Sequence, residues 1–213
     1  MILLFLLFLL LGCQKDSQLK KAQSALRIED YPRAARLFET ALEESPENPE
    51  ARYGLAMSYY HAKQWEKSIR EFNILNNLGI KDSSFAELHS RALYHQAKAL
   101  ITSDVQSSLE LLWQSQKIST QNPLPMNLEA LLQQELGNTA KANEAFARLV
   151  TTHPKFPSGW INWGELQWKE KQFEEALITW QLGLETLPNN PLLQAKTIWA
   201  EANLGLEASK ANQ

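Results

Sequence analysis

Repetition at a period of about 34 residues constrains this chain of 213 residues more than any other feature. Small residues recur at Ala34, Ser68, Ser108, Ala142 and Ala176, and four positions after each stands a large apolar one: Phe38, Phe72, Leu112, Phe146 and Trp180. One step is longer than the others, which places an insertion at 83–88. Five blocks follow: 15–48, 49–82, 89–122, 123–156 and 157–190. Self-similarity at this period marks stacked supersecondary units, each too small to bury its own apolar face and therefore dependent on its neighbours.

The chemistry of a block is that of two helices in close contact. A small side chain lets two helix axes approach, and a large one one turn later fills the space beside it. Tyr31, Trp65 and Phe173 stand where the first helix of a block would turn into the second, and Gly137 supplies a residue tolerant of positive φ for such a reversal. Pro46, Pro154 and Pro188 end second helices, because proline lacks the donor that continues a helix. Ile80 and Thr120 replace that proline in the second and third blocks. The third block also carries His95 and Gln96 where the second has Leu55 and Ala56 and the fifth Trp163 and Gly164.

Block 157–190 carries Trp160, Trp163, Gly164, Gln167, Ala176, Trp180 and Pro188 at the spacings W-x2-L-G-x2-Y…A-x3-F…P, which resemble the tetratricopeptide repeat. Block 123–156 repeats the pattern with Met126, Ala130, Ala142, Phe146 and Pro154, and block 49–82 with Leu55, Ala56, Tyr59, Ser68 and Phe72. The resemblance implies an all-α fold, a right-handed α-solenoid of about five helix pairs. Residues 191–213 are expected to close the stack as a capping helix and tail, with Leu192, Ala195, Ile198, Trp199, Ala202 and Leu206 on its packed face.

Residues 2–11 read ILLFLLFLLL. A helix of that run would cover roughly 15 Å, about half of a hydrocarbon core, so it matches the apolar region of a signal peptide better than a span. The run ends in Leu10, Leu11, Gly12 and Cys13, the single cysteine of the chain, and resembles the lipobox of bacterial lipoproteins. That resemblance implies a signal peptide over 1–12, lipidation of Cys13 and a short lipidated N-terminus, 13–14. Gln14 in place of Asp then implies the outer membrane, facing the periplasm. No Lys or Arg precedes the run, and the other reading is a short uncleaved anchor.

With 21 Lys+Arg against 24 Asp+Glu the formal charge is −3, and no basic stripe exists to neutralise a phosphate backbone, so nucleic acid is excluded as a partner. A single cysteine forms no intramolecular disulfide or Cys-based metal cluster. His61, His89, His95 and His153 are scattered without an i, i+4 partner, so no metal site is expected. Asp16, Asp30, Asp82 and Asp104 sit where helix caps are expected. No nucleophile elbow, Gly-rich phosphate loop or HExxH occurs, and the reading is a non-enzymatic chain with no cofactor and no small-molecule substrate.

The first helix of each block carries a second stripe at i, i+4, i+7: Leu19, Gln23, Leu26; Tyr53, Met57, Tyr60; Leu93, Ala97, Leu100; Leu124, Leu128, Leu131; and Ile161, Glu165, Trp168. By the resemblance these positions line a concave groove, and about half of the stripe is expected to be ordinary core. The candidate partner-binding residues are Tyr53, Met57, Tyr60, Tyr94, Leu128, Leu131 and Trp168, aromatic and adaptable side chains of the kind enriched at binding hot spots. An amphipathic helix or apolar segment of a protein partner suits such a groove. The expected role is a membrane-anchored adaptor or scaffold in cell-envelope assembly. The alternatives are a type IV pilus or secretin assembly lipoprotein, and a regulator of a cell-wall enzyme or an envelope hydrolase.

Overall fold

The computed structural model describes residues 18–80 and 82–205, and within them every regular element is an α-helix. The helices are α1 (18–27), α2 (Tyr31–Glu44), α3 (Pro49–His61), α4 (Trp65–Asn77), α5 (Ser83–Leu100), α6 (Val105–Ile118), α7 (Leu124–Glu135), α8 (Thr139–Thr152), α9 (Pro157–Lys169), α10 (Phe173–Thr186) and α11 (Pro191–Asn203). The expectations on residues 1–17, Cys13 and Asp16 among them, and on Leu206 and the tail lie outside the described residues.

The chain forms two compact units, divided between Ser103 and Asp104. In the first, α2 packs on α3, α3 on α4 and α4 on α5. In the second, each helix from α6 to α11 packs on its sequence neighbour, and α7 and α11 also touch α9.

The small and large positions behave as the repeat pattern requires. Ala34, Ser68, Ser108, Ala142 and Ala176 are 0% exposed, and Phe38, Phe72, Leu112, Phe146 and Trp180 are at most 1% exposed. Serine at a small position keeps its hydroxyl satisfied: Ser68 donates to the Ala56 carbonyl at 2.9 Å.

The turns repeat as well. Glu29, Lys63, Gly137, Lys171 and Gly205 all adopt positive φ, between 58° and 72°. One repeat period separates Glu29 from Lys63, Gly137 from Lys171, and Lys171 from Gly205. Caps follow sequence chemistry. Asp30, Asp82 and Asp104 accept backbone N–H groups at the starts of α2, α5 and α6, as expected. Asn48 and Asn190, each followed by a proline suited to the first helical position, each accept two N–H groups at α3 and α11.

One detail extends the sequence reading and one departs from it. The insertion 83–88 forms the first turns of α5, which runs to 18 residues with Asp82 as its cap. The last helix stops at Asn203 and turns on Gly205, and it packs through Leu193, Thr197 and Ala200 instead of the face expected. Leu192, Ile198 and Trp199 are 50%, 59% and 46% exposed. Leucine periodicity favoured the wrong stripe, because the buried contacts of α11 are made in part by a threonine and an alanine, whose small size suits close packing.

Candidate partner-binding face

In the first unit the expected residues lie on α3 and α5. Tyr53 is no free groove residue: its ring stacks on Phe85 at 4.1 Å and meets Phe72 edge-on at 6.3 Å. Phe85 belongs to the insertion, so the lengthened α5 covers what a regular repeat would leave open. Burial pushes the Tyr53 phenol up, which keeps it neutral. Met57 is half-buried. Leu93 and Ala97, on the same stripe of α5, are 1% and 0% exposed and belong to the core.

Tyr60 and Tyr94 stand in a chain of rings at the turn ends of the helices. Tyr31 stacks on His61 at 4.9 Å, and His61 meets Tyr60 edge-on at 5.3 Å. Tyr60 continues to Trp65 at 5.3 Å and to His95 at 6.1 Å, and Tyr94 meets His95 at 5.4 Å. His95 lies flat on Trp65, 4.6 Å between centroids. Desolvation, helped by Lys98 and Arg91, lowers its pKa, so near neutral pH the ring serves as a neutral aromatic plate. This explains how a histidine occupies a position that the second and fifth blocks give to Leu55 and Trp163. The Lys98 ammonium lies 5.7 Å over the Tyr94 ring. Sequence reading missed this chain of rings; the recurrence of Tyr31 and Trp65 one period apart was its available signal.

The second unit carries a different face on α7, α9 and α11. Leu128 and Leu131 are half-buried, and Leu124 is 40% exposed beside them. Trp168 is half-buried among Phe173 at 4.7 Å, Trp199 at 4.5 Å and Trp180 at 5.9 Å. Ile161 is buried. Between these apolar groups runs a polar strip: Asn162 donates to Asn127 at 2.9 Å, and Lys196 pairs with Glu165 at 2.7 Å. This face therefore carries polar contacts beside its apolar side chains. A cleft of about 370 Å³ lies elsewhere in the same unit, lined by Trp113, Leu109 and Leu136 with Glu110, Gln133 and Lys141; none of the seven expected residues lines it. Among the described residues no group of three or more His, Cys, Asp or Glu could hold a metal ion, and no helix is long and apolar enough to cross a membrane.

The tetratricopeptide repeat profile matches residues 19–75 and 127–191, more than half of the chain. The chain belongs to the tetratricopeptide repeat family. Its structure resembles that of the MamA protein, with a TM-score of 0.56, 18% identity and coverage of 82% of this chain and 92% of that one. PilF of Pseudomonas aeruginosa gives 0.52 with 15% identity, over 95% of this chain and 89% of PilF. YrrB, described as a TPR protein with an unusual peptide-binding site, gives 0.53 with 15% identity, over 84% and 89%. At such identities these likenesses establish the shared tetratricopeptide fold. A relative in sequence, the DnaJ homolog subfamily C member 7 homolog of Dictyostelium discoideum, is 23% identical over 188 residues. That match covers 83% of this chain and 35% of the relative, so the chain spans about a third of that protein's length.

Proposed function

We propose that this protein is a tetratricopeptide adaptor that holds a protein partner on the first-helix faces of its repeats, anchored to the outer membrane through a lipid on Cys13 and facing the periplasm. The observation that carries the binding role is the half-exposed ring chain of Tyr60, Trp65, His95 and Tyr94, with the Lys98 ammonium over one end. Rings held by their neighbours offer large contact area at little entropic cost, which is the signature of an interaction hot spot. YrrB, with its peptide-binding site, gives a precedent for peptide binding by the fold. The anchoring rests on the sequence ILLFLLFLLLGC, where acyl chains at ~0.8 kcal/mol per buried CH₂ would secure membrane residence.

Two experiments test the two parts separately. In a bacterial host, Cys13→Ser should abolish fatty-acid labelling and move the protein from the membrane to the soluble fraction; unchanged membrane residence would refute lipid anchoring. A photo-crosslinking residue at Tyr94 should trap one dominant protein that a control at exposed Glu144 does not. Equal adducts from both positions, or none from Tyr94, would refute the binding face.

A further inference from the structure

We infer that the cleft lined by α6, α7 and α8 is a second docking site, and that it receives an arginine of a protein partner whose chain carries an acidic residue next to it. The site lies within the second unit and is independent of the ring chain of the first.

The repeat does not call for Trp113. Five residues after each small position stand Glu39, Asn73, Trp113, Ala147 and Gln181, so no large apolar group is required there. Trp113 is 58% exposed and lines the cleft together with Leu136, which is 45% exposed just past the end of α7. The volume of about 370 Å³ is at the small end of the roughly 300–1,000 Å³ usual for ligand pockets. It admits side chains and is too small for a helix.

The charges define the occupant. Two carboxylates line the cleft, Glu110 and Glu129. Glu129 is already matched: Arg148 Nη2 lies 3.1 and 3.0 Å from its two oxygens, and the Gln116 amide donates to it at 2.9 Å. Exposed Glu110 accepts from the Gln114 amide at 3.4 Å, and exposed Lys141 lines the cleft from α8. Among the described residues neither Glu110 nor Lys141 takes part in an ion pair. Trp113 follows Glu110 by three residues on one helix, so a cation held by that carboxylate lies beside the indole. The ring already takes one cation, the Lys117 ammonium 5.2 Å over its centroid. A guanidinium suits carboxylate and indole together, because its planar fork pairs with the one while its flat face stacks on the other. Lys141 then calls for an anion, which an acidic residue beside the arginine supplies. An apolar segment laid over the cleft would bury Glu110 and Lys141 without partners, and a phosphate chain would meet two carboxylates.

The probes are three blocked hexapeptides, Ala-Gly-Arg-Asp-Gly-Ala and the same sequence with Lys or Ala in place of Arg, titrated into the full chain labelled with nitrogen-15 tryptophan. The indole N–H resonance of Trp113 is identified by its loss in Trp113→Phe. The Arg peptide should shift that resonance saturably with a Kd of about 1 mM, the Lys peptide should bind several-fold more weakly, and the Ala peptide should leave it unmoved. Glu110→Gln should weaken the Arg peptide about tenfold and Lys141→Met about threefold, with the other indole resonances in place as evidence of an intact fold. Equal affinities for the Arg and Ala peptides, no response of Trp113, or binding indifferent to either variant would overturn the inference. Arginine amide alone binding as tightly as the Arg peptide would assign the seat to a small free cation and overturn the protein segment.

Discussion

Gly164 leaves the volume that Trp180 fills: a Cβ on the glycine would lie 2.2 Å from the indole nitrogen, which itself donates to the Ile161 carbonyl at 3.2 Å. The rigid ring is 1% exposed and has little room to retreat. Gly164→Ala should therefore lower stability by ~1–3 kcal/mol in urea denaturation. Adding Trp180→Leu should recover part of that loss, since the two changes share one contact.

His89 gives the first unit a dependence on pH. The ring is 2% exposed, stacks on Phe72 at 5.3 Å and meets the Asn76 amide through Nδ1 at 3.2 Å, while Nε2 has no partner. Burial pushes its pKa down from 6.5 to about 4. Protons then prefer the unfolded chain, so the stability held above pH about 6.5 should fall as pH drops toward 4, by up to about 3 kcal/mol. Denaturation at pH 7.5 and 4.5 should show this loss, and His89→Phe should reduce it. An equal loss in the variant would place the proton uptake elsewhere.

The turns make a reciprocal pair of predictions. Gly137 and Lys171 occupy the same place in successive blocks, with φ of 72° and 64°. A side chain at such an angle is strained, so Gly137→Lys should cost ~1 kcal/mol and Lys171→Gly should be neutral or stabilising by a few tenths. Thermal melts of the two single variants and of the exchange test this. A loss from Lys171→Gly would mean that the lysine side chain contributes a contact larger than its strain.

Partner capture should respond to exposed positions before buried ones. Tyr94→Glu, and Leu124→Glu in the second unit, should each reduce affinity capture of the partner that the crosslink identifies about tenfold, with helicity intact. Leu93→Glu should instead unfold the first unit, because Leu93 is 1% exposed. Equal effects of the three would erase the distinction between face and core.

The repeated core was legible in the sequence because its two determinants, a small residue and a large one a turn later, lie close together in one helix. Ala142 and Phe146 needed no knowledge of the rest of the chain. The face was less legible because exposure depends on neighbours. Nothing local to Tyr53 reveals that an insertion beyond the end of its own block will set Phe85 against it. Likewise Leu93 and Ile161 share the stripe of Met57 and Leu128, and adjacent helices decide which of them solvent reaches. His95 shows the converse: an ionisable residue read as a misfit fits once its flat neutral ring rests on Trp65.

At the start of α3, α9 and α11 a side chain reaches back to the carbonyl of the proline that ended the previous pair: Arg52 to Pro46, Trp160 to Pro154 and Gln194 to Pro188. A guanidinium, an indole and an amide perform the same task at the same remove from the acceptor. The joint thus asks for a donor at a given reach and is indifferent to which residue supplies it. Mutation could therefore replace each of these donors by a chemically unlike one while the spacing between pairs is kept, which is how a chain retains its period after its residues have diverged.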